Sequence, residues 1–215
     1  MRVLAIHTAE PACDLAVLEH GHVLAERFEP MVRGQDAHLP RLSQEVLAAA
    51  RVDLQALDRI AVVTGPGSFT GIRVGTAFAR GLALAIGKPC LGVTAMEAAL
   101  PAGQQGSAMV ALPAQRRLPD VTFWTQTFRT GAATGPADEM PLADLTALLR
   151  DRPHMLFGDE TALAAHFPDF KIHEAKPTAR RAGQVAGLMR PDERTAQPTY
   201  VRAPDAALPQ PKHRK

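Results

Sequence analysis

Chemistry needs side chains that ligate, attack or cradle, and this 215-residue chain holds few in a usable pattern. Its histidines stand at positions 7, 20, 22, 38, 154, 166, 173 and 213. No two are four apart, the spacing that sets two imidazoles on one helix face for a zinc ion. His20-Gly21-His22 reads as an exposed turn. Cys13 and Cys90 are too distant to seed a metal site and too few for a disulfide framework. They read as buried free thiols of a reducing compartment. No metal and no cofactor is expected.

The run Gly65-Pro66-Gly67-Ser68-Phe69-Thr70-Gly71 has more chemical potential. A nucleophilic elbow sets glycines two before and two after the serine, but Phe69-Thr70 follows Ser68. Glycine loops between a strand and a helix also hold phosphate, through bare N–H groups and the positive end of the helix dipole. This one lacks the closing Lys-Ser/Thr of a P-loop and the spacing of a dinucleotide fingerprint. Two uses remain: an anion cradle, or a tight turn for close helix packing with Ser68 or Thr70 as N-cap. A second polar turn, His7-Thr8-Ala9-Glu10, follows the first apolar run. Nucleotide-cleaving enzymes need an acid there to hold Mg²⁺, and His7 is not one.

The elements that position these turns are clearest in the first hundred residues. Residues 3–6 form a buried-strand pattern, and 14–18 and 23–28 flank a glycine-containing connection as a hairpin would. Leu39, Leu42, Val46, Leu47 and Ala50 recur at helical spacing, with Asp36 as cap and Pro40 in the first turn. A short helix at 54–57 and a strand at 60–63 lead into the glycine loop. Residues 70–86 then form a helix of small and apolar residues in which only Arg73 and Arg80 are charged. A helix apolar nearly all round must be covered on more than one side, by its own domain or by a partner. It is shorter than the ~20 residues of a membrane span, and no membrane role is expected. A strand at 88–93 completes a β-β-β-α-β-α order, which implies a mixed sheet with helices laid on it.

Proline, glycine and glutamine gather over 101–107, separating a lobe at 1–103 from a smaller one at 104–208. The latter shows strands at 108–112, 121–128 and 155–157 and helices at 142–149 and 179–189. Residues 209–215 end in Lys212-His213-Arg214-Lys215 and read as a disordered basic tail. A net charge of +2 with scattered bases gives no independent case for nucleic acid. The first eight residues lack the apolar core of a signal peptide, so a cytoplasmic protein is expected.

Three segments carry a resemblance. Val3-Leu4-Ala5-Ile6-His7-Thr8-Ala9 with Ala12 to Leu18, the run from Thr64 to Gly75, and Pro198-Thr199-Tyr200-Val201-Arg202 are similar to motifs of the TsaB (YeaZ) family. The resemblance is strong over 1–100 and looser beyond. It implies an actin-like, sugar-kinase/Hsp70-type (ASKHA) α/β fold of two related lobes. It also implies a part in threonylcarbamoylation of adenosine 37 of tRNA. The metal-dependent catalyst there is a TsaD-type subunit, and a TsaE-type ATPase joins the assembly. A TsaB subunit pairs with TsaD and makes it competent, touching tRNA only via the complex. Known pairs form a four-helix bundle, whose helices correspond here to 39–50 and 70–86. The family's homodimers use the same face. Two departures remove carboxylates from the cleft: His7 replaces the usual Asp of the first loop, and Pro113-Ala114-Gln115-Arg116 replaces the usual Asp-Ala-Arg.

The expected partner contacts are Leu39, Leu42 and Val46 from the first helix with Ile72, Gly75, Thr76 and Ala79 from the second. The alternative for each is the chain's own sheet. Gly71 and Gly75, one turn apart, would admit another backbone, so Gly75→Arg should abolish pairing in a folded subunit. Gly65, Gly67, Ser68, Thr70 and Gly71 shape the loop and cap the helix. The competing reading is a stand-alone ATP-dependent kinase or peptidase-like hydrolase of the same fold. A direct tRNA-binding module would rest on the basic tail alone.

Overall fold

The computed structural model describes residues 1–117, 120–151 and 155–201, with the side chains of 115–117 and 120 excepted. The chain opens with β1 (Arg2–His7), β2 (Ala12–Glu19) and β3 (His22–Pro30), an antiparallel meander. Next come α1 (Gln35–Ala50), a 3₁₀ turn (Leu54–Ala56), β4 (Arg59–Val63), α2 (Phe69–Ile86), β5 (Cys90–Val93) and α3 (Ala95–Ala99). β4 pairs parallel with β1, and β5 with β4, giving a five-stranded sheet ordered β3-β2-β1-β4-β5.

The second half repeats this plan in shortened form. It runs β6 (Ser107–Arg117), β7 (Asp120–Arg129), β8 (Ala132–Ala133), β9 (Asp138–Pro141), α4 (Leu142–Asp151), β10 (Met155–Gly158), α5 (Glu160–Ala164), β11 (Ile172–Glu174) and α6 (Ala179–Leu188). The sheet order is β11-β10-β6-β7-β8, with β9 also on β7. β10 lies parallel to β6 and β11 to β10, as β4 and β5 do in the first sheet. Each half is therefore a meander followed by αβαβα, which is the two-lobed α/β architecture expected.

Alternation along the strands assigns the faces. Leu4, Ile6, Leu15, Val17, Ile60 and Val62 point to one side of the first sheet, where α1 and α2 cover them. Val3, Ala5, Ala16, Leu18 and Ala61 point to the other, where α3 and α6 pack between the lobes. Met109, Ala111, Phe123 and Leu156 meet α4 and α5 on the outer face of the second sheet.

The division 104–208 needs correction, because α6 lies on β1, β2 and β4 of the first lobe. Two charges hold it there. The Ala179 N–H donates to the Asp14 carboxylate at 2.7 Å, and the Arg59 guanidinium donates to the carbonyls of Ala186 and Met189, both at 2.7 Å. An acid at the helix N-terminus and a cation at its C-terminus each match the helix dipole. The bridge between Leu91 and Thr195 extends this return onto β5. The tail 209–215 lies outside the described residues.

Three other expectations need adjusting. α1 begins at Gln35, so Asp36 sits inside its first turn and Gly34, with no side-chain bond, is the cap. Pro40 stands one turn further in than expected. α3 was not anticipated, although Thr94 and Glu97 form a complete capping box.

Candidate functional site

The glycine loop wraps the end of β1. The Ser68 N–H donates to the Ala9 carbonyl at 2.6 Å, and the Thr8 hydroxyl donates to the Gly71 carbonyl at 2.7 Å. A Cβ at Gly67 would collide with the Ala9 carbonyl, one at Gly71 with the Thr8 carbonyl, and one at Gly75 with the Thr8 hydroxyl. Gly65 has φ +110, and a Cβ there would press on Ile72 and the Thr199 carbonyl. Each glycine thus admits a neighbouring segment of the same chain. Ser68 is the α2 N-cap, its hydroxyl accepting from the Gly71 N–H at 3.2 Å. Thr70, the other capping candidate, lies within the first turn and is exposed.

This geometry bears on phosphate. Two N–H groups that an anion would need, those of Ser68 and Gly71, are already bonded within the chain. His7, where a metal-holding acid would stand, is 3% exposed, and neither ring nitrogen has a hydrogen-bond partner among the described residues. Burial pushes its imidazole down to about 4, so it is neutral at pH 7. Its cross-strand neighbour Asp14 is pushed up to about 6 by burial, against the downward pull of the Ala179 N–H. Among the described residues no group of three His, Cys, Asp or Glu side chains is placed to hold a metal. A cleft of about 420 Å³ does open between the lobes, lined by Glu10, Ser68, Trp124, Asp159 and Lys176 among others. Glu10 and Asp159 are the acids of that lining, and His7 is not part of it.

The residues expected to contact a partner are all buried within the chain. Leu39, Val46 and Ala79 are fully buried within the chain, Leu42, Ile72 and Thr76 nearly so, and Gly75 is buried under Thr8. Leu39, Leu42, Val46 and Ala79 pack in the core beneath α1 and α2, and Ile72 joins the core between the lobes. Helical periodicity detects a stripe that packs against something without saying what, and here the sheet claims it. Gly75→Arg would therefore break the loop packing before it tested any partner.

The open stripe lies one step around α2. Phe69, Arg73, Ala77, Arg80 and Leu84 recur at intervals of 4, 4, 3 and 4 and are all exposed, Leu84 to 85%. Beside them Val74, Phe78 and Leu82 are only partly covered. α1 lies alongside and adds exposed Ala37, Arg41, Gln44 and Ala48. Arg41 is fixed by Glu45 and Glu29, both at 2.6 Å. At the head of the stripe the Arg73 guanidinium stacks 3.8 Å from the Phe69 ring, and its Nε donates to the Tyr200 hydroxyl at 2.9 Å. By length and composition α2 would pass for a bilayer-crossing helix, yet seven of its eighteen residues are buried in the core.

Comparison with known proteins places this geometry. A family model for the tRNA N6-adenosine threonylcarbamoyltransferase TsaD matches residues 29–116. The Escherichia coli tRNA threonylcarbamoyladenosine biosynthesis protein TsaB is 31% identical over 160 residues, 74% of this chain and 69% of that one. The chain belongs to the TsaB (YeaZ) family. A second relative, an uncharacterized Mycobacterium tuberculosis protein, is 32% identical over 95% of this chain and 93% of its own. A Pseudomonas aeruginosa crystal structure, described as similar to peptidase YeaZ, superposes with TM-score 0.74 at 25% identity, covering 94% and 99%. Thermus thermophilus ROK hexokinase, at TM-score 0.52 and 14% identity over 87% and 98%, shares the fold alone. The TsaB-family chain thus has the two-lobed, sugar-kinase-like α/β fold expected of it.

Proposed function

We propose that this chain is a non-catalytic activating subunit in tRNA N6-threonylcarbamoyladenosine synthesis, pairing with a TsaD-type catalytic subunit through the open faces of α1 and α2. The observation that carries the reading is the α2 stripe. A helix already fastened to its sheet keeps a second apolar row, from Phe69 to Leu84, in solvent. Covering that row against a partner removes apolar surface from water, and a stable pair should bury at least ~1,600 Å² in total. The small side chains Ala37, Ala48 and Ala77 leave room for close helix approach.

The non-catalytic part of the reading rests on the loop. Ser68 is an N-cap and has no imidazole or carboxylate bonded to it among the described residues, which disfavours a peptidase. The bonded N–H groups of Ser68 and Gly71 and the neutral His7 disfavour a kinase. Nucleotide hydrolysis in the assembly would then fall to a TsaE-type ATPase, and tRNA would be met only through the complex, in the cytoplasm. Two copies of this chain would pair through the same stripe when no catalytic partner is present.

Ala77→Arg tests the surface without touching the core. Co-expression with the TsaD-type subunit of the same organism should give a stable heterodimer for the parent and separate subunits for the variant, at unchanged melting temperature. Normal pairing by the variant would remove α2 from the interface.

A further inference from the structure

The inter-lobe cleft of about 420 Å³ is walled by proline. Four of its thirteen lining residues are Pro11, Pro66, Pro113 and Pro177, and Trp124 stands half-buried among them. An aromatic ring framed by rigid apolar surface is the kind of wall that a polyproline segment docks against. Glu10 and Asp159 add carboxylates to the lining, while Lys176, also in it, is paired with Glu174 at 2.9 Å. The cleft therefore favours a basic occupant. Its size suits a few side chains and not a folded domain.

The chain carries such a segment itself. Leu208-Pro209-Gln210-Pro211-Lys212 is followed by His213-Arg214-Lys215, so a proline-spaced apolar stretch ends in the fixed positive charges of Lys212, Arg214 and Lys215. The described residues stop beside the cleft: Tyr200 packs on Phe69 with ring centroids 5.4 Å apart, and Phe69 adjoins Ser68 of the cleft wall. Thr199 is fixed there too, its N–H donating to the Thr64 carbonyl at 2.8 Å. The step from Val201 to Leu208 spans up to about 22 Å as polyproline helix, enough to pass Ser68 and enter the cleft. Tethering at this length raises the local concentration of the segment to the order of 1 mM. A contact with an intrinsic Kd of about 0.1 mM would then be closed about nine-tenths of the time within one chain. Between chains at micromolar concentration the same contact would be mostly open.

We propose that the inter-lobe cleft docks the chain's own C-terminal segment, residues 208–215, as a displaceable polyproline plug. Pro209 and Pro211 would pack against Trp124 and the cleft prolines, and the bases after them would meet Glu10 and Asp159. The inference stands apart from the pairing surface on α1 and α2, and it assigns the cleft an occupant other than a nucleotide.

Trp124 is the chain's only tryptophan, so its fluorescence in the full chain reports the cleft directly. Acrylamide quenching should rise by about twofold in Pro209→Ser/Pro211→Ser and in Lys212→Glu/Arg214→Glu/Lys215→Glu, as the plug leaves the ring. Raising NaCl to about 500 mM should increase quenching in the parent and not in the charge-reversed protein. Equal quenching in the parent and both variants would overturn the proposal. So would a rise confined to the charge-reversed protein, which would mean that the prolines do not dock. Shielding present at about 50 µM protein and lost at about 1 µM would assign the cleft to the tail of a second copy, and the proposal would fall.

Discussion

Gly71→Ala separates a loop built for packing from a loop built for a ligand. In the folded chain a Cβ at this position would collide with the Thr8 backbone carbonyl and come within 3.3 Å of the Ser68 hydroxyl. Thr8 is fully buried and its hydroxyl bonds the Gly71 carbonyl, so the obstacle cannot swing aside as a flexible side chain would. Forcing the two backbones apart costs about 1–3 kcal/mol of overpacking, and stretching the Thr8 bond adds about 1 kcal/mol. Alanine's better helix propensity returns about 1 kcal/mol, leaving a net loss of about 1–3 kcal/mol. For a protein of this size that lowers the melting temperature by about 2–12 °C. Thermal unfolding followed by circular dichroism measures it, with Gly81→Ala as the control. Gly81 faces open space within the same helix, so its alanine should raise the melting temperature by a few degrees. A Gly71→Ala protein that melts with the parent would mean that the loop yields, and the packing account of the glycine motif would be wrong.

Two further outcomes follow from the inter-lobe face. His7 sits near 4 in the folded chain against an ordinary 6.5, so from pH 6.5 down to 4 the unfolded chain binds the extra proton and His7 lowers stability as pH falls. Asp14 sits near 6 against an ordinary 3.8, so from pH 6 down to 4 the folded chain binds the extra proton and Asp14 raises stability as pH falls. The two slopes oppose each other, each worth on the order of 3 kcal/mol. His7→Gln should therefore gain stability relative to the parent between pH 7 and 4.5, and Asp14→Asn should lose it. Parallel melting-temperature profiles for all three proteins would contradict the assignment. Arg59→Leu strips the last α6 carbonyls of their buried donor and should cost about 2–4 kcal/mol in urea unfolding. A loss below 0.5 kcal/mol would show that α6 is held by packing alone.

Much of the first lobe was legible because its signals are local. The alternation of Val3 to Ile6, the hairpin glycine Gly21 and the 3–4 spacing from Leu39 to Leu47 each depend on neighbours within a few residues. Ser68 as a cap was legible for the same reason. α6 was legible as a helix but not as part of the first lobe. Its position is decided by Asp14 and Arg59, 165 and 127 residues away from their partners on it. Gly71 and Gly75 do signal a close approach, but what approaches is Thr8 of the same chain, by its backbone at Gly71 and its side chain at Gly75. The residues expected at an interface are buried in the chain's own core. Burial against a sheet and burial against a partner leave one periodicity, so Leu39 and Ala79 were indistinguishable from docking residues. The stripe that is open contains Arg73 and Arg80, whose charges broke the apolar pattern and hid it.

The central claim is that this chain activates a catalyst and does no chemistry itself. Reconstitution decides it: the TsaD-type subunit, a TsaE-type ATPase, threonylcarbamoyl adenylate and unmodified tRNA are combined with and without this chain, and modified adenosine is quantified by mass spectrometry. The account predicts modification only when the chain is present, and no ATP turnover by the chain alone. Equal modification without it, or ATP hydrolysis by the isolated chain, would contradict the account.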